Sequence, residues 1–245
     1  ILWQKINKFK VGRTWEPEVT ANRLLNLIYN FEYINSLSSY DEEIKLRKII
    51  NLHINRLNFD LYLKKNDELS LLELKAYILI SLLFNKRKIN YEKKFNKIIN
   101  NQLDTLSIHK SYNLLQHSIF INHISEIINI LLRHNISIPK KIFSTKLKMV
   151  TVLSQFFHKD GTIVLFNGSH NKYLKQILIV LNEENNIIKM EYPKDKNGLF
   201  FFEDKNKKIF FDAIQPSKSS ISKNLSASTL SFEFSSNNEK IITNC

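Results

Sequence analysis

Cysteine is almost missing from this chain of 245 residues: the single one is the last residue, Cys245. No internal disulfide can form, and no cysteine-rich zinc motif exists. That usage fits a reducing compartment, although it does not exclude an export route. Glycine and proline are scarce too, four of each, which favours long helices over an all-β design. No apolar run reaches the roughly 18–20 residues of a membrane span. A P-loop, Gly-x-Gly-x-x-Gly, Gly-x-Ser-x-Gly and His-Glu-x-x-His are all absent, which removes the common nucleotide, serine-hydrolase and zinc-protease signatures. The first residue is Ile1 and the last hairpin has barely closed by Cys245, so a piece of a longer protein is expected.

What the chain does have is apolar material and positive charge. Hydrophobic residues make up 43%, enough for a folded core. The formal net charge of +13 attracts polyanions, which makes nucleic acid, anionic membrane and acidic polysaccharide the candidate partners. Asn, Ile and Lys abound throughout, so part of this charge reads as a solvated face. The basic residues form no uninterrupted block and are not interleaved with aromatics in a stacking pattern. That disfavours a basic helical-repeat nucleic-acid binder.

From about Glu16 to His158 the apolar period is helical. Leu46, Ile49, Ile50, His53, Leu57 and Leu61 share one face at spacings of three and four. A second run, Leu71 to Leu83, is apolar on more than one side, and Ser70 with Glu73 predicts a capping box at its start. Tyr91, Phe95, Ile98 and Ile99 mark a third helix, and Ile119 to Leu131 a fourth. A fifth is expected with Ser137 as N-cap and Pro139 in its first turn. Short connections near 64–69, 85–90, 102–110 and 134–137 favour antiparallel neighbours, as in an α-solenoid or an α/α toroid. No fixed-period repeat is present, which weakens the tetratricopeptide and HEAT-type readings.

After His158 the patterning changes. Thr162 to Phe166 is β-branched and aromatic, between the turn dipeptides Asp160-Gly161 and Asn167-Gly168. Tyr173 to Leu181 is expected as one last helix. Leu199–Phe202 and Lys208–Phe211 predict a hairpin around 203–207, and Pro216 to Ser228 a surface loop. Leu230, Phe232 and Phe234 alternate with polar residues, Asn237-Asn238 supplies a turn, and Lys240 to Thr243 returns. The expected domains are residues 1–158, helical, and 159–245, the start of an antiparallel β-sheet domain.

Several of these segments resemble the heparinase II/III-type polysaccharide lyases. The final stretch, from Leu230 to Cys245, is similar to the first hairpin of that family's β-domain. Asp160-Gly-Thr-Ile-Val-Leu-Phe-Asn-Gly168 resembles its junction after the last helix. Asn197-Gly-Leu-Phe-Phe-Phe followed by Lys208-Ile-Phe-Phe-Asp212 resembles the hairpin that opens its sheet, and Trp3, Trp15-Glu-Pro17 and Arg23 its helical entry. The resemblance implies a fold that is α+β and mostly α, an incomplete α/α toroid of antiparallel helix hairpins followed by the start of a β-sandwich. It implies β-elimination on an anionic, uronic-acid-containing polysaccharide or oligosaccharide, and a periplasmic or cell-envelope location. Such chemistry neutralises the sugar carboxylate, removes the acidified α-proton with a base and protonates the leaving oxygen, commonly from Tyr or His.

By the same resemblance His109 and His117 fall on the two histidines of a Gly-x-His-x-Glu-x-Ser-Pro-x-Tyr-His pattern. Gln116 stands in the place of its Tyr, and Ser111, Asn113 and Leu114 replace the Glu, Ser and Pro. Tyr112, one helical turn earlier, is the substitute acid. His117, Tyr112 and His109 are thus the candidate catalytic residues; the plain alternative makes His109 a loop residue and His117 a buried, hydrogen-bonded one. Asn167, His170 and Asn224 are candidate substrate contacts. Aligning Lys75-Ala76 with the family's Ala-Lys-Ala segment puts Glu68-Leu69 at its Asn-His pair, where a Glu would repel a uronate. Asn224 and Ser226 replace the two histidines of a His-x-His-x-Asp pattern, and Asn244 a ligand Asp. No metal and no other cofactor is expected. His53 and His123 lie on apolar helical faces and read as core or groove residues. A lyase with eroded catalytic motifs and a non-catalytic binder of anionic glycans on the same scaffold both stay open.

Overall fold

The computed structural model describes residues 6–7, 12–63, 69–84, 90–170, 198–214 and 229–244. The last helix expected at Tyr173 to Leu181, the loop from Pro216 to Ser228, and Asn224 with it, lie outside the described residues. Among the described residues seven α-helices precede four strands: α1 Pro17–Tyr29, α2 Phe31–Ser36, α3 Tyr40–Leu63, α4 Leu71–Leu83, α5 Tyr91–Gln102, α6 Leu114–Arg133 and α7 Lys140–Gln155, then β1 Leu199–Glu203, β2 Lys207–Asp212, β3 Phe232–Ser236 and β4 Glu239–Ile242. The architecture is therefore α+β and mostly α, helices first and antiparallel strands after, as the patterning predicts. The chain forms two compact units, residues 1–98 with 130–136, and residues 99–129 with 137–245.

In the first unit α1 packs on α3 and α4. Pro17 opens α1, where its missing N–H costs nothing, and Ala21, Leu24 and Leu25 are buried. The apolar stripe of α3 buries Leu46, Ile50, Ile54 and Leu57, and the Tyr77 hydroxyl on α4 donates to the Leu57 carbonyl at 2.6 Å. Ser70 and Glu73 form the capping box in full: each side chain accepts from the other's backbone N–H. His53 is fully buried, its Nδ1 on the Ile49 carbonyl and its Nε2 accepting from Arg23, which also lies over Trp15.

In the second unit the start of α7 differs from the expectation. Pro139, with extended backbone, is itself the N-cap, and its carbonyl accepts from Ile142 and Phe143. A proline ring already fixes φ there, so Ser137 is left outside the helix.

The sheet runs in the order β1-β2-β3-β4, antiparallel throughout. Its register sorts side chains onto two faces. Leu199, Phe201, Phe210, Lys208, Asp212, Glu233 and Ser235 are buried. The opposite face carries Phe200, Phe211 and Phe232 in one row and Phe202, Ile209, Phe234 and Ile242 in the next. Gly198 opens β1 with φ +84, and a Cβ there would meet the Ala213 carbonyl oxygen at 2.9 Å, so only glycine fits.

Candidate functional site

The loop from Leu103 to Asn113, between α5 and α6, is tied by its own backbone. Leu103 bridges His109, and Asp104 Oδ1 accepts from the N–H groups of Leu106 and Ile108, both at 2.9 Å. Lys110 Nζ donates to the carbonyls of Asn100 and Asn101 at the end of α5, as cations do at helix C-termini. Tyr112 adopts φ +50, and the Asp104 carboxylate lies near its hydroxyl.

This loop forms one wall of a cleft of about 760 Å³. Asp104, Ser107, Lys110 and Tyr112 line it on one side, and Lys141, Ser144, Thr145 and Lys148 on the other. The second set sits at i, i+3, i+4 and i+7 of α7, one face of a helix. Lys141 and Lys148 are exposed, and their ammonium groups have no hydrogen-bond or ion-pair partner among the described residues. Desolvation, and then the Asp104 carboxylate, push the Tyr112 hydroxyl up to about 12, so it stays protonated at neutral pH. The arrangement can draw an anion against three ammonium groups beside a neutral phenol.

Tyr112 is the candidate that faces the cleft. His117 is fully buried. Its Nδ1 accepts from the His109 N–H at 3.1 Å and its Nε2 meets the Met149 carbonyl at 2.9 Å, so both ring nitrogens are occupied. Burial drives it down to about 4. His109 Nδ1 lies 2.7 Å from the Ser111 hydroxyl, and its ring packs on Phe120. It too falls to about 4, from burial first and the nearby His117 second. The two histidines thus join the loop to α7.

Asn167 is buried in the left-handed region, φ +54, which asparagine tolerates. Its amide donates to Asp212 at 3.1 Å and to the Tyr112 carbonyl at 3.4 Å, while its own carbonyl accepts from Asn113 at 2.8 Å. The next polar residue, Ser169, accepts from the Leu114 N–H at 2.9 Å and so helps cap α6. His170 is exposed and does not line the cleft. Asn244, at the place of a ligand Asp, donates to the Leu165 carbonyl. Among the described residues no group of three or more His, Cys, Asp or Glu is placed to hold a metal ion, and no helix is long and apolar enough to cross a membrane.

Sequence reasoning passed over Asp104, Lys141 and Lys148. The polar stripe Lys141, Ser144, Thr145 and Lys148, opposite the buried Ile142, Met149 and Leu153, is the signal that pointed to them. It also passed over a fully buried pair: His158 Nε2 lies 2.7 Å from Glu233 Oε2, and His158 Nδ1 lies 3.0 Å from the Ser235 hydroxyl.

Helices that lead into an antiparallel sheet, with a cationic cleft between the α5–α6 loop and α7, define the class: an α+β protein, mostly α, with a lysine-lined cleft. Residues 194–245 match the family model described as Heparinase II/III-like, C-terminal. That match covers the C-terminal segment alone, and the fold of the chain is the one seen in solved heparinase III structures. It is similar to a crystal structure titled Heparinase III, with 14% identity and a TM-score of 0.63 over 98% of this chain and 46% of that one. Against heparan sulfate lyase HepC from Pedobacter heparinus the values are 13% and 0.59, over 98% and 43%. Against the heparinase III that is the BT4657 gene product they are 15% and 0.67, over 98% and 41%. The chain thus spans less than half the length of these structures. No curated protein matches the sequence.

Proposed function

We propose that this chain is part of a heparinase II/III-like polysaccharide lyase that takes an anionic, uronic-acid-containing polysaccharide in the cleft of Lys110, Lys141 and Lys148. The observation that carries the reading is the juxtaposition of these ammonium groups with Tyr112 in one concavity. A lysine near a uronate carboxylate offsets its charge, the first requirement for making the α-proton acidic. Tyr112 is the proton donor to the leaving oxygen in this reading. His109 and His117 act through it by fixing its loop, and Asn167 does the same through the Tyr112 carbonyl. His170 and Asn224 are proposed as further sugar contacts.

A second reading, a non-catalytic binder of anionic glycans, is favoured by the two engaged nitrogens of the buried His117 and by the loss of the family's Tyr at Gln116. One experiment separates the two. Full-length protein is mixed with a uronate polysaccharide, and the ultraviolet absorbance of the unsaturated product is followed together with binding. Rising absorbance that Tyr112→Phe abolishes supports the lyase. Binding that weakens with salt and is lost in a Lys141→Ala, Lys148→Ala variant, with no absorbance change, supports the binder. If the protein binds no uronate polymer at low salt, both readings fail.

A further inference from the structure

Asp212, the last residue of β2, is buried and ties the sheet to two residues that line the cleft. Its Oδ1 accepts from the N–H of Ile214, itself part of the lining, at 2.9 Å. Its Oδ2 accepts from the Asn167 amide at 3.1 Å. A carboxylate that carries its charge can only accept, so Asp212 decides which end of the Asn167 amide faces β2. The NH2 group must point there, and its second hydrogen is the one that meets the Tyr112 carbonyl. The Asn113 side chain donates in return to the Asn167 backbone carbonyl at 2.8 Å, and the Leu114 N–H donates to Ser169. Residues 112–114 are thus stitched to 167–169, with Asp212 orienting the stitch. Tyr112 needs this support, because at φ +50 a non-glycine backbone holds only where its surroundings fix it.

Resting on the reading of Tyr112 as the proton donor of a lyase, we propose that Asp212 is a positioning residue of the cleft: it sets the Asn167 amide so that Tyr112 is held where the leaving oxygen is protonated. The sheet thereby supplies a working part of a site whose lysines and phenol come from helix α7 and the α5–α6 loop. Asp212 acts through Asn167 and Tyr112 and has no part in drawing the anion in, which falls to Lys110, Lys141 and Lys148.

Two variants of the full-length protein separate positioning from plain support. Asp212→Asn keeps one carbonyl oxygen, which can serve Ile214 or Asn167 but not both donors. The rate of unsaturated-product formation from a uronate polysaccharide is expected to fall at least about 10-fold, as small displacements of a reacting group cause. KM should stay within about two-fold, because the lysines are untouched. Added to Tyr112→Phe, the same change should cost no further rate, since it acts through Tyr112. The exchange Asp212→Asn with Asn167→Asp rebuilds the bond between the two positions in the reverse direction, but sets an acceptor against the Tyr112 carbonyl. Its urea midpoint should recover relative to Asp212→Asn, and its rate should not. Tyrosine-labelled NMR, with the Tyr112 ring signal assigned by its loss in Tyr112→Phe, reads the displacement without turnover, and that signal should move in both variants. An unmoved signal in Asp212→Asn, or a rate that recovers with the midpoint in the exchange, overturns the proposal. A signal that moves as expected in a protein that forms no unsaturated product leaves the positioning of Tyr112 by Asp212 standing and overturns the lyase reading alone.

Discussion

The two faces of the four-stranded sheet have exchanged the usual roles. The buried face carries Glu233, Ser235, Lys208 and Asp212 among its phenylalanines, and the solvent face is apolar, with Phe202 62% and Phe232 44% exposed. Burying charge is costly unless every group is matched, and here it is matched. Glu233 accepts from His158, from the Leu165 N–H at 2.8 Å and from the Asn244 N–H, and Lys208 donates to the Phe157 carbonyl at 2.8 Å. The lesson is that the polar face specifies where the sheet docks, while the apolar face contributes little to the fold of the described residues.

Substitution tests that contrast most directly. Glu233→Ala leaves the Nε2 of His158 and two amides without their carboxylate partner and is expected to cost about 3–5 kcal/mol, as broken buried pairs do. Phe210→Ala, fully buried against Phe156 and His158, should cost about as much. Phe202→Ala on the other face should cost less than about 1 kcal/mol. Denaturant unfolding measures all three, and equal losses on both faces would erase the contrast.

Acid probes the polar interior a second way. His117 in the folded chain takes a proton only near pH 4, well below the ordinary histidine value of 6.5. The unfolded chain therefore binds the proton first, and stability falls as pH drops from about 6.5 towards 4, by about 3 kcal/mol from this residue. His117→Gln should flatten that slope, and urea midpoints at several pH values check it. The smallest effect is on solubility: Phe202→Lys with Phe232→Lys should reduce self-association and hydrophobic-dye binding of the 245-residue polypeptide while leaving its circular dichroism unchanged.

Local features of the fold were legible in the sequence. Four residues sufficed for the capping box of α4, because Ser70 and Glu73 satisfy each other within a single turn. The hairpins could be read from period-2 alternation and turn residues. The cleft was not legible, because its walls come from a loop and from α7, some thirty residues apart, and no periodicity links them. The role of Asn167 was hidden for the same reason: its partners are Tyr112, Asn113 and Asp212, all distant in sequence. Tyr112 could be singled out because it stands next to the family's motif, and Asp104, which lines the same cleft, could not, because an acidic residue in a loop looks like solvent-facing charge.

The Ser169 cap on α6 has a kinetic consequence. The first turn of that helix borrows an acceptor made 55 residues later in the chain, so it cannot be completed by local folding alone. In hydrogen exchange the Leu114 amide should open with the segment around Ser169 rather than with the middle of its own helix. The loop that carries Tyr112 then gains its final shape only after the chain beyond α7 has come back to meet it.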